Sequence, residues 1–456
     1  MQFSSSEKTP IKYKSKHPKF YIGTTTLILF SFCSVFYSRI ICSLTGLPSI
    51  LNFAHFGVVT VTFMVALLTA KTKERSQILL SRQILLGIAA LFGVMVISAF
   101  INQAGILNVI FNFLILSEPF IFLLAIVCIP LSPISIKKIK NWLLASALIN
   151  FLLAEIQKPL LTSGLLDGQG MDEVDGVQGV FFVSGAGGYV SAGISIIVAL
   201  YIFFCFKKVP LWLKILSIVG AMHQLSIADT KQVLLFCFLA FLFLVLTKVN
   251  NLKKFLIYVT LIVLGISFFI WAAYNLEAFA VYGEWLSRDD INQDLENGGW
   301  AVKTTGIRMV LAHYRSPLNW FFGLGPGHTL GRLGGWSIME YWHIFSRLGA
   351  SQPPFYHEMW HFINGNWIAL STTLYVPLFS WAGIWGDLGW IGIAIYLYLG
   401  FVVWHWLCFD DFNKFLVLNV FSCGFVLTQM EEPGFMLFIA ILIGLRWHEK
   451  RQRYQI

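Results

Sequence analysis

Apolar runs of about 17–25 residues recur along this chain, the length a helix needs to cross the hydrocarbon core of a bilayer. Backbone in lipid has to satisfy its own hydrogen bonds, so such runs fold into transmembrane α-helices. Hydrophobic residues make up 57% of the 456 and charged residues 12%, a balance that excludes a soluble globular domain. The expected class is an all-α polytopic membrane protein, one integral membrane domain over residues 1–456. Twelve spans are expected: 20–38, 49–70, 83–101, 105–130, 141–156, 181–206, 210–227, 232–247, 254–275, 386–407, 413–429 and 433–446. The piece 367–384 reads as re-entrant or interfacial.

Lysine and arginine set the expected orientation. Lys8, Lys12, Lys14, Lys16 and Lys19 precede the first run. Lys71, Lys73, Arg75 and Arg82 follow the second; Lys137, Lys138 and Lys140 follow the fourth. Lys207 and Lys208, then Lys248, Lys253 and Lys254, then Lys450, Arg451 and Arg453 continue the pattern. With twelve spans these groups share one side, so both termini are expected in the cytoplasm. The formal charge of +9 then reflects topology and anionic headgroups, and no nucleic-acid partner is expected. No small-residue cleavage site follows the first run, so an uncleaved span is expected. The seven cysteines lie in or beside the runs, which reads as buried hydrophobe with no zinc or disulfide framework.

Two segments interrupt the spans on the other side. Gln157 to Gly179 holds Asp167, Asp172, Glu173 and Asp175 and reads as a solvated acidic loop. The larger, 277–385, is too long for a connector and holds nine of the sixteen tryptophans. Short helices lying on the membrane face are expected there, with Trp at the interface. Soluble-enzyme motifs are missing, and Asp289-Asp290 is an isolated pair, so neither metal nor cofactor is expected.

The long segment is cationic at its centre. Between Ala301 and Ala350 stand Lys303, Arg308, Arg315, Arg332 and Arg347 against Glu340 alone. Arg308 and Arg315, seven apart, share a face if one helix carries both. A turn follows at Phe322-Gly323-Leu324-Gly325-Pro326-Gly327-His328. Guanidinium forks suit phosphate and diphosphate, although interfacial arginines also meet lipid headgroups. Asp229-Thr230-Lys231 sits at the mouth of the eighth span, where Lys231 either pairs with Asp229 or faces an anionic ligand. Gly386-Asp387-Leu388-Gly389-Trp390-Ile391-Gly392 opens the tenth span.

In order and spacing, these elements over residues 180–410 resemble the O-antigen polymerase and O-antigen ligase superfamily of bacterial envelope glycan assembly. Departures are Lys231 where arginine is usual, and Ser371-Thr372-Thr373-Leu374-Tyr375 where ligases carry histidine; the second favours polymerase. The resemblance implies a GT-C-like membrane fold with one long periplasmic loop containing short helices, in the bacterial cytoplasmic membrane. It implies metal-independent polymerisation of undecaprenyl-diphosphate-linked repeat units, among membrane lipids, with a chain-length regulator protein as a candidate partner. Arg308, with Lys231, Arg315 and Arg332, would clamp the diphosphate. His313 or His328 would take the acceptor proton. Trp300, Trp320 and Trp336, with Trp342 and Trp360, would offer faces to sugar rings or anchor at the interface. Asp387 would orient an arginine or cap its helix. The alternatives are ligase-type transfer of a finished glycan and, in another class, a transporter or flippase. Transporters place charges at mid-span, whereas Glu118 and Glu155 are expected near span ends.

Overall fold

The computed structural model describes residues 23–70, 74–167, 175–248, 252–275, 283, 287, 298–371 and 373–454. Asp172, Glu173 and Asp289-Asp290 lie outside them, as do the lysines before residue 23, Lys71 and Lys73. Among the described residues every regular element is helical. Six helices are long and apolar enough to cross a membrane, which makes this an α-helical membrane protein. They are Ser49–Thr69, Arg75–Asn102, Ile106–Cys128, Pro133–Thr162, Gly187–Cys205 and Ser380–Trp406. A bent pair, α1 (Thr24–Phe36) and α2 (Ser38–Thr45), turns by 56° and makes a seventh. The twelve expected spans are thus six or seven by length and apolarity; Leu211–Ile227, Gln232–Leu246 and Val263–Asn275 are apolar but short.

The chain continues as α3 (Ala54–Thr69), α4 (Arg75–Asn102), α5 (Ile106–Cys128), α6 (Pro133–Thr162) and α7 (Gly187–Cys205). Next come α8 (Leu211–Ile227), α9 (Gln232–Leu246) and α10 (Leu252–Asn275). Among the described residues the long segment contributes five short helices. These are α11 (Gly299–Ala312), α12 (Pro317–Phe322), α13 (Ile338–Phe345), α14 (Pro354–Gly365) and α15 (Trp367–Ser371). The bundle closes with α16 (Ser380–Trp406), α17 (Asp411–Cys423) and α18 (Pro433–Tyr454). α16 begins at Ser380, within the expected 277–385 segment, and is broken at Gly389.

Helices apolar on every side are buried on every side. Gly187 to Ala199 in α7 and Gly434 to Leu445 in α18 have no exposed or half-exposed residue. In α5 the run Ile115 to Cys128 has one, Ile121. These helices form the centre, with α18 packed on α5 and α1; the Phe32 and Phe438 rings stand 6.1 Å apart. Glu118 is therefore not near a span end, as expected, but midway along α5 and buried, one residue before Pro119.

The bundle has two distinct ends. At one, charged groups tie the connections to α18: Arg446 meets Asp410 at 2.5 Å and Glu449 at 2.9 Å, and Lys140 meets Glu449 at 3.2 Å. Arg451 pairs with Glu74 and donates to Gln77 there. At the other end, α2, the start of α7, the long segment and the turn before α18 surround a cavity.

Candidate functional site

The site is built on a broken helix. Within α16, Gly389 adopts φ 65°, a conformation glycine reaches without strain. The break exposes backbone carbonyls, and the long segment takes them up. Leu324 N–H donates to Gly386 O at 2.7 Å and Gly325 N–H to Asp387 O at 3.1 Å. Backbones meet so closely that a Cβ on Gly389 would stand 2.3 Å from the Phe321 carbonyl carbon. One on Gly323, φ 70°, would stand 2.3 Å from that of Asp387. From α4, Ser98 Oγ donates to Phe322 O and Asn102 Nδ2 to Gly323 O at 3.1 Å.

The Asp387 side chain completes this joint. Its Oδ1 accepts from Thr329 N–H at 2.8 Å and Thr329 Oγ1 at 2.6 Å. Its Oδ2 accepts from Gly327 N–H at 2.6 Å and Asn112 Nδ2 at 3.1 Å. Asp387 thus orients the glycine-rich turn rather than an arginine. His328 belongs to the same joint: buried, with Nδ1 donating to Leu324 O at 2.9 Å and Nε2 accepting from Ser351 Oγ at 2.7 Å. Burial lowers its pKa to about 4, so the ring is neutral.

From this anchored turn the chain runs to Arg332 and a π-helical turn, Leu333–Ser337, that carries Trp336. Arg332 and Trp336 line a cavity of about 800 Å³ with Arg39 of α2, Tyr189 of α7, Glu340 and Tyr341 of α13, and Glu432. The volume falls within the ~300–1,000 Å³ typical of ligand sites. Arg39 Nη1 donates to Val183 O at 3.1 Å, and Val183 holds φ 58°, a strained value for a β-branched residue.

Arg332 is held on three sides. Its N–H donates to Glu431 Oε2 at 2.7 Å, its Nη1 to Glu431 O at 3.0 Å, and its guanidinium pairs with Glu432. Burial first, then the neighbouring Arg39 charge, brings its pKa down to about 9, so it stays cationic at neutral pH. Burial raises the Glu431 carboxyl to about 7. Two guanidiniums can pair with an anionic group and the aromatic walls can take a ring, while Glu340 and Glu432 on the same wall offset part of the positive charge.

Of the residues singled out by sequence, the structure brings Arg332 and Trp336 to this cavity and leaves the others elsewhere. Arg308 is exposed and bonds within its own helix, to Ala301 O at 2.9 Å and Thr305 Oγ1 at 2.7 Å. Arg315 does not share a face with it: α11 ends at Ala312, and Arg315 is exposed before the Ser316 capping box of α12. Lys231 pairs with Asp229 at 2.8 Å. His313 caps α11 and stands 3.4 Å from Glu358, while His328 has both nitrogens engaged and is no free base. Trp300 and Trp320 are exposed and do not line the cavity. Lys303 turns inward, donating to Val376 O at 2.7 Å and Val426 O at 2.5 Å.

Sequence reasoning missed Arg39, Tyr189, Tyr341 and Glu432. Two of them left a signal: Arg39 is a cation after the first apolar run, on the side poor in lysine, and Glu431-Glu432 stands between two apolar runs. No metal-binding cluster of histidine, cysteine and carboxylate occurs among the described residues. No family model, curated protein or solved structure matches this chain.

Proposed function

We propose that this protein polymerises lipid-diphosphate-linked oligosaccharide repeat units at the outer face of a bacterial cytoplasmic membrane. The observation that carries the reading is the cavity in which Arg39 and Arg332 stand together among aromatic side chains. In this reading the chain crosses the membrane twelve times, α8, α9, α10, α17 and α18 being spans beside the longer helices. The end bearing Lys137, Lys138, Lys207, Lys208 and Lys248 faces the cytoplasm by the lysine and arginine bias. The cavity then opens outward, where nucleotide sugars are not supplied and a lipid-linked donor is.

In the proposed reaction an acceptor hydroxyl oxygen attacks the anomeric carbon of the donor sugar. The bond from that carbon to the diphosphate oxygen breaks, and the lipid diphosphate leaves with the electron pair. Arg39 and Arg332 hold the diphosphate as charge grows on it, which is the stabilisation such a transfer most requires. Trp336, Tyr189 and Tyr341 offer flat walls to the sugars. Relative to the sequence-based assignment, the clamp moves from Arg308, Arg315 and Lys231 to Arg39 and Arg332.

Deletion of the gene in its source strain tests the reading, with the lipid-linked glycans extracted and sized. A polymerase predicts accumulation of single repeat units and loss of the ladder of longer chains. Long lipid-linked chains that fail to reach their final acceptor would point to a ligase instead. An unchanged glycan profile would reject both.

A further inference from the structure

Beneath the cavity lies a second, smaller chamber of about 30 Å³. Arg39, Phe53, Arg332 and Glu432 line both spaces, so the chamber adjoins the large cavity at its two arginines. Its volume admits a water molecule, which needs ~10–15 Å³ of such space. On its wall stands His55, at the start of α3 and buried. His55 Nδ1 donates to Glu118 Oε1 across 2.6 Å. Its ring packs on Phe56, with centroids 4.2 Å apart. Glu118 Oε2 finds no hydrogen-bond partner among the described residues.

This is the arrangement of an imidazole fixed by a carboxylate. The carboxylate holds the Nδ1–H tautomer, which leaves Nε2 as the proton acceptor. A buried carboxylate in an apolar helix needs a reason to be there, and among the described residues its one hydrogen-bonding partner is His55. The other charged groups facing His55 from packed elements are Arg39 of α2, Arg332 of the long segment and Glu432 before α18.

We propose that His55 is the general base of the transfer and Glu118 its positioning residue, an inference that rests on the polymerase reading above. The acceptor hydroxyl loses its proton to a chamber water as its oxygen bonds to the anomeric carbon. That water passes a proton to His55 Nε2, and the electron pair of the broken carbon–oxygen bond leaves with the lipid diphosphate. The imidazolium, paired with Glu118, later returns the proton to solvent. No other atom or electron is needed.

The test uses the full-length protein in detergent and lipid-linked repeat units extracted from the strain lacking the gene. Released lipid diphosphate is the signal, read from pH 5 to 9. His55→Gln is expected to lower kcat by ~100-fold or more while KM changes less than threefold, and to abolish the acid limb of the profile. Glu118→Gln keeps the acceptor for His55 Nδ1–H but not the charge, and is expected to lower kcat ~10-fold or more at similar KM. Wild-type rate and profile in both variants would overturn the assignment, as would a slower His55→Gln enzyme that keeps the wild-type acid limb. If His55→Gln does not accumulate, Glu118→Gln alone decides: unchanged kcat rejects the proposal. Arg332→Lys is run beside them. If it too turns over at the wild-type rate, the polymerase site itself is misplaced; if it fails while the His55 and Glu118 variants do not, only the base is wrong.

Discussion

Thr329 gives both of its donors to one oxygen of Asp387: the backbone N–H at 2.8 Å and the hydroxyl at 2.6 Å. With Gly327 N–H and Asn112 on the other oxygen, this carboxylate fastens the long segment to α16 in the turn that leads to Arg332. Asp387→Ala would leave four buried donors without their acceptor. At ~1–3 kcal/mol each, and not additive, several kcal/mol of stability should be lost. Thermal unfolding of the solubilised variant is expected well below wild type, with Asp387→Asn between the two.

Gly389→Ala should be worse than an ordinary helix substitution. Alanine inside a helix normally gains up to ~1 kcal/mol over glycine. Here the position has φ 65° and a Cβ would stand 2.3 Å from the Phe321 carbonyl carbon. The expected result is a sharp fall in membrane accumulation, measured by immunoblot. Gly93→Ala in α4, where an added Cβ meets nothing within 4 Å, should accumulate normally.

Acid should loosen the joint through His328. Its folded pKa is lowered by burial to about 4 from a reference of 6.5. Between those values the unfolded chain binds a proton that the folded one refuses, so stability falls as pH drops from about 6.5 to 4. The full effect is on the order of 3 kcal/mol. Melting temperatures of wild type and His328→Gln at pH 7 and pH 4.5 check this: the acid-induced drop should be smaller in the variant.

Much of the joint could be read from the chain and much of the cavity could not. Long apolar runs announced a helical membrane protein, and the glycine-rich turn and the Gly386–Gly392 run were visible as motifs. That they dock on each other through backbone hydrogen bonds was not, because nothing in local sequence pairs residues 60 apart. Arg308 was singled out by charge density, yet charge density does not tell which face of α11 meets the bundle. Its guanidinium turns back on Ala301 and Thr305. Arg39 and Glu432 were passed over because a single charge between two apolar runs does not show what it will face; the cavity arises only where α2, α7, the long segment and the turn before α18 converge. Glu118 was placed near a span end although the expected span 105–130 already centres on it, as does the helix Ile106–Cys128.

The most direct test of the cavity as the polymerising site is a comparison of Arg332→Lys with Arg308→Ala in the deletion strain. Surface glycan length is read on a gel, and protein level is matched by immunoblot. Lysine keeps the charge but loses the bidentate fork that a diphosphate engages. Arg308→Ala is expected to restore the full ladder while Arg332→Lys leaves mostly single repeat units. A full ladder from Arg332→Lys, with loss of the ladder in Arg308→Ala, would contradict this assignment.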